Sequence, residues 1–160
     1  VNKREAAKFA SARAKRPAEF LNVDLVVFSE RPLDLLAQAM EKCGAIVLDC
    51  GPFHRGGFWA TFEANMDGIE ANRTIKAIGR LVGRLPAPAR RLFDRAKRRE
   101  FSIGIQSAKE PHAFDVPVSA QSLAVVTALR GELSITVYSP ITAKKLVAPS
   151  QAKTRKRKAR

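Results

Sequence analysis

Apolar residues recur with two different periods between Val23 and Tyr138, and the switches between them divide the chain into elements. The run VDLVVFS (23–29) is β-rich and predicts a strand. RPLDLLAQAMEKCG predicts a helix, with Pro32 at its first turn and Gly44 as its stop. AIVLDC (45–50) and FWATFEA (58–64) flank a short loop and predict a hairpin. The expected register sets Cys50 opposite Phe58, Leu48 opposite Ala60 and Ile46 opposite Phe62, with all six on the core face. Val47, Asp49, Trp59, Thr61 and Glu63 then share the other face.

From 69 to 99 the period is helical. Ile75, Ile78, Val82 and Leu85 fall on one side, and Arg73, Lys76, Arg80 and Arg84 on the other. LPAP interrupts the helix, because proline removes a hydrogen bond and clashes with the preceding turn. Arg91, Arg95 and Arg98 then repeat the basic stripe, with Phe93 and Ala96 inward. EFSIGIQS (100–107) alternates with Phe101, Ile103 and Ile105 on one face. AFDVPV (113–118) alternates as well, and Pro117 limits it to an edge strand. SAQSLAVVTALRG has Ser119 as N-cap and Gly131 as stop. ELSITVYS closes the series, with Leu133, Ile135 and Val137 expected inward.

The order is βαββαβ followed by βαβ. It implies an α+β protein: a ferredoxin-like antiparallel sheet with helices on one face, extended by a C-terminal βαβ segment. One domain is expected over 20–140, flanked by a basic N-terminal extension (1–19) and a disordered basic tail (141–160). A chain of 160 residues suffices to bury a core of its own.

The net charge of +14 is concentrated at the ends. Residues 1–19 hold six Lys/Arg and two Glu, and residues 141–160 hold eight Lys/Arg and no acid. Within the domain, residues 70–99 carry ten Lys/Arg against Glu70 and Asp94. Such tails attract any polyanion, nucleic acid included, by releasing counterions. No apolar run approaches the ~18 residues of a membrane helix, and the first residues lack the apolar core of a secretory signal. Cys43 and Cys50 are separated by a strand of about 20 Å, too far for a disulfide. Two free thiols suit a reducing cytoplasm.

The chemistry-bearing stretch is CGPFHRGGFWATF, Cys50 to Phe62. Cys50 and Arg55 stand as C-x4-R before a strand, whereas a phosphatase loop needs C-x5-R before a helix whose N-terminus holds the anion. A Cys50–His54 nucleophile pair requires both side chains on one side, and Cys50 is expected to face the core. Cys43, Cys50, His54 and His112 have no zinc spacing. Asp49 and Glu63 share a face but not a register position, so they make no acid/base pair. No catalytic residue, cofactor site or metal site is expected.

Two resemblances follow from particular residues. RGGFWATF (Arg55–Phe62) resembles the signature R/K-G-F/Y-G/A-F-V-x-F/Y on the third strand of the RNA-recognition motif. Arg55, Gly56, Trp59 and Phe62 match it; Gly57 replaces a stacking aromatic, and Val26 stands where the first strand would carry another. Over residues 22–140 the chain also looks like a group of small bacterial proteins of unknown function, some regarded as toxin-immunity proteins. The closing strand, Ser-capped helix, strand and Tyr carry that likeness, which implies a non-enzymatic binder. The expected function is therefore a cytoplasmic, non-catalytic protein-binding module with an unidentified protein partner, immunity-like in type. The alternative is RNA or DNA binding through the basic helix 70–99 and the tails. Candidate contacts are Arg55, Trp59, Arg73, Lys76, Arg80, Arg84, Arg91, Arg95 and Arg98.

Overall fold

The structure is a computed structural model that describes residues 17–66, 70–108 and 113–139; residues 1–16 of the expected N-terminal extension and the whole expected tail 141–160 lie outside the described residues, and Glu19 already belongs to the first strand. Its strands are β1 (Glu19–Ser29), β2 (Ala45–Pro52), β3 (Phe58–Ala64), β4 (Arg98–Gln106) and β5 (Glu132–Tyr138). Its helices are α1 (Asp34–Lys42), α2 (Ala71–Gly83), α3 (Ala87–Asp94) and α4 (Ala120–Ala128). The protein is α+β, with a mixed five-stranded sheet in the order β2-β3-β1-β4-β5. β1 pairs antiparallel with β3 and β4, β2 pairs antiparallel with β3, and β5 lies parallel to β4.

The sheet's buried face follows from period-two alternation. Leu25 stands opposite Phe62 on one side and Phe101 on the other, and all three are buried. Val23, Val27, Ala60 and Ile103 extend the same face. Ile75, Ile78 and Val82 from α2, Leu36 and Met40 from α1, and Phe93 from α3 complete one core. Truncating Phe62, Phe93 or Phe101 to Ala removes a fully buried ring, a loss of about 3–5 kcal/mol.

Four expectations are corrected. In the hairpin, Cys50 faces Ala60 and Val47 faces Phe62, with a bulge between Val47 and Asp49. The bulge turns Val47 toward the core and leaves Ile46 and Leu48 exposed, at 42% and 49%. Residues 113–119 form no strand. The Pro117 carbonyl instead accepts a hydrogen bond from Asn72 Nδ2 on α2 at 3.0 Å. The C-terminal extension is thus α4 and β5 alone, and its βαβ unit is completed by β4. Arg98 begins β4 rather than extending a helical stripe. Finally, Leu133, Ile135 and Val137 on β5 are exposed.

The last correction has a local cause. Ser119 caps α4 by accepting from the Ser122 N–H, and Asn72 Oδ1 accepts from the Ser119 N–H and the Ser122 hydroxyl, both at 2.8 Å. A Cβ at Gly79 would lie 2.6 Å from Val125 Cγ1, so this glycine lets α4 sit close on α2. Drawn toward α2, α4 leaves much of β5 uncovered. At its end the left-handed residue is Arg130, with φ 51°, rather than Gly131. Gly131 is required because a Cβ there would meet the Phe101 ring at 2.9 Å.

The β2–β3 loop gives a paired test. Gly56 and Gly57 have φ of +92° and +80°. A Cβ at Gly57 would fall 2.6 Å from the Ser29 carbonyl oxygen, whereas one at Gly56 would meet nothing within 4 Å. Chemical denaturation is expected to show a loss of about 1 kcal/mol for Gly56→Ala, from backbone strain alone, and about 3 kcal/mol for Gly57→Ala, where the clash adds to it. Equal losses would contradict the close approach to Ser29.

Candidate functional site

The Cys50–Phe62 stretch builds the end of a groove on the sheet face opposite the helices. The Phe53 N–H donates to the Gly57 carbonyl, and the Gly56 N–H donates to the Phe53 carbonyl, each at 2.9 Å. This closed loop holds the Phe53 ring 5.3 Å from Phe28, edge to face, and 6.0 Å from Trp59. Phe28 stands directly opposite Trp59 on β1 and β3. The Arg98 guanidinium lies 4.3 Å over the Phe28 ring. Phe28, Phe53, Arg55, Lys97 and Arg98 border a groove of about 680 Å³.

This geometry changes which β1 residue stands beside Trp59. Phe28, not Val26, is the β1 partner of Trp59, and Val26 faces Thr61. Parity carries the signal: with Val23, Leu25 and Val27 inward, Asp24, Val26 and Phe28 must point the other way. An aromatic at position 57 is excluded by the Ser29 carbonyl. The groove's charges are largely matched. Arg98 reaches Glu100 at 2.7 Å and Glu132 at 4.0 Å, and Lys97 reaches Glu30 at 3.9 Å.

The remaining candidate cations do not form one stripe. Arg73, Arg80 and Arg84 line a second groove, of about 660 Å³, between α2 and the end of α1. Lys76 turns toward α4, where its ammonium donates to Gln121 Oε1 at 2.9 Å. Arg91 and Arg95 are exposed at α3. Arg99, a further member of the basic run, is buried and donates to the Phe93 and Asp94 carbonyls at 2.8 and 3.1 Å, neutralising the negative end of α3. Desolvation lowers its pKa first, with Arg130 adding to the effect.

Sequence reasoning missed one polar cluster. Asn22 Nδ2 donates to Asp24 Oδ1 at 2.9 Å and to Glu63 Oε1 at 2.7 Å. Burial pushes the Asp24 carboxyl up to about 6, Glu63 pushes the same way by charge and hydrogen bonding, and the Asn22 amide opposes them. Asp49 faces Thr61 and Glu63 faces Ile46, so the acid pair on this face is Asp24 and Glu63. Cys50 is half-buried; desolvation raises its thiol pKa, followed by the charges of Asp34 and Asp49. That holds it as a thiol rather than a nucleophilic thiolate. His112 lies outside the described residues. Among the described residues no three of His, Cys, Asp and Glu gather to hold a metal, and no helix is long and apolar enough to cross a membrane.

Compared with protein-family models, curated proteins and solved structures, the chain matches none.

Asp24 yields a pH test. Its folded pKa lies above the unfolded value, so its contribution to stability is full below about pH 4 and is lost as pH rises through about 6. Asp24→Asn is expected to raise stability at pH 8 by about 1 kcal/mol, discounted for partial exposure, with the gain vanishing toward pH 4. Thermal melts across that range check it. A gain independent of pH would remove Asp24 ionisation as the cause.

Proposed function

We propose that this chain is a non-catalytic protein-binding module that takes an extended segment of an acidic partner protein along β5. The observation that carries the reading is the state of that edge. An edge strand leaves a row of unpaired N–H and C=O groups, and proteins usually blunt it with a bulge, a proline or a lysine. The opposite edge, β2, has a bulge at Leu48 and a terminal Pro52. β5 reads ELSITVY, without proline, Lys or Arg, and pairs with β4 in unbroken register. Ile135 and Val137 are 62% and 61% exposed on it.

A strand added there gains main-chain hydrogen bonds from the edge and apolar contact from Ile135 and Val137. The single charge of β5, Glu132, lies near Arg98. A net charge of +14 opposes a second copy of this chain and attracts an acidic protein. Immunity-like inhibition is the form this takes where the bound segment belongs to a toxin. The scaffold we propose for it is a ferredoxin-like core of β1 to β4; the antiparallel sequence β4-β1-β3-β2 supports that reading. Two free cysteines favour the cytoplasm as its compartment.

Random-peptide display on the full chain tests the proposal. Enriched peptides are expected to be acidic with alternating apolar positions, to slow amide exchange at 133–137, and to lose at least about tenfold in affinity to Ile135→Lys, which places a charge on the edge. Peptides that bind without protecting β5 would sink the reading. So would a concentration-dependent homodimer abolished by the same substitution.

A further inference from the structure

The groove between α2 and the end of α1 has no part in the β5 reading. Arg73, Arg80 and Arg84 line it together with Cys43, Gly44 and Asn65. The three arginines recur at intervals of seven and four residues, Arg73 and Arg80 on α2 and Arg84 as its C-cap in helical backbone conformation. At the α-helical rise they span about 16 Å, with successive gaps of about 10 and 6 Å. A single phosphate cannot meet all three; a linear polyanion can.

Their states differ. The Arg84 Nη2 donates to the Cys43 carbonyl at 2.7 Å, and the Cys43 thiol lies 3.7 Å from the Arg84 carbonyl. That pair fixes one end of the row. Arg73 and Arg80 are exposed and make no hydrogen bond or ion pair with any described residue. The contrast with the aromatic groove is direct: there Arg98 and Lys97 have carboxylate neighbours, and here two guanidinium groups pair with none among the described residues. Free guanidinium groups in a concave wall are suited to phosphodiester oxygens, which they meet with paired donors.

We propose that this groove binds the backbone of a single-stranded nucleic acid, with Arg73 and Arg80 as the phosphate contacts and Arg84 as the fixed end of the track. The row reads charge and spacing, not bases. Binding through it is therefore independent of sequence and sensitive to salt. The basic segments 1–19 and 141–160 add general attraction, while the groove adds a located contact.

The test must separate that contact from the tails, so it uses the full chain. Fluorescence anisotropy of a labelled oligouridylate of about twelve nucleotides is measured against salt for wild type, Arg73→Gln/Arg80→Gln and Arg91→Gln/Arg95→Gln. Both variants lose two exposed charges, and their melting temperatures are compared with that of the wild type to check that both are folded. The groove variant is expected to lower the slope of log K against log salt by about 1.4 and affinity by roughly tenfold near physiological salt, whereas the α3 variant changes the slope by less than about 0.5. Equal losses in the two variants would overturn the proposal, leaving only diffuse attraction. Failure of the wild type to bind would overturn it as well. Polyglutamate of matched charge that binds as tightly, with the same dependence on Arg73 and Arg80, would assign the groove to an acidic protein segment instead.

Discussion

The fold depends on β1 being hydrogen-bonded along both edges. Val26, for example, stands opposite Thr61 on β3 and Glu100 on β4. A strand in that position has no solvent-facing edge, and Val23, Leu25 and Val27 must bury completely for the helices to pack over it. β3 and β4 are placed by this pairing, and β2 and β5 by theirs. The two peripheral strands then differ in kind. β2 is tied to β3 by a short hairpin, whereas β5 is reached only after the irregular stretch and α4.

That difference sets which parts of the sheet and helix layer stay open. The hairpin edge is finished: its bulge breaks the ladder, and its loop folds Phe53 back over the sheet. Among the described residues no strand follows β5 in the sheet, and the β5 face toward the helices is left uncovered because Asn72 and Gly79 draw α4 onto α2. The helix layer is thereby closed on one side, and the arginine groove opens on the other, between α2 and α1. An apolar edge and a cationic groove are thus set apart on the two flanks of the helix layer.

Much of this arrangement was legible in the residues. Alternation placed Phe101 and Ile103 inward, helical spacing placed Ile75, Ile78 and Val82, and Ser119 marked a helix start. What was not legible depended on tertiary contacts. Alternation assumes an even count, and the bulge at Leu48 adds a residue, reversing the faces of Ile46 and Val47. Leu133, Ile135 and Val137 have the parity of buried residues, but parity cannot say whether a helix covers them. The arginines read as a single stripe because helical spacing was carried past Asp94 into a strand. The Asp24–Asn22–Glu63 cluster needed the β1–β3 register, which no local pattern reports.

The parallel attachment of β5 has a consequence for how the molecule opens. Its ladder to β4 joins residues about thirty positions apart, such as Phe101 and Leu133, so its formation waits on closure of the whole intervening segment. A strand held on one side and with little apolar cover among the described residues is a low-stability cooperative unit relative to β1. Reversible detachment of β5 would free both the β4 edge and β5 itself, leaving an incomplete sheet and a loose strand of the same chain.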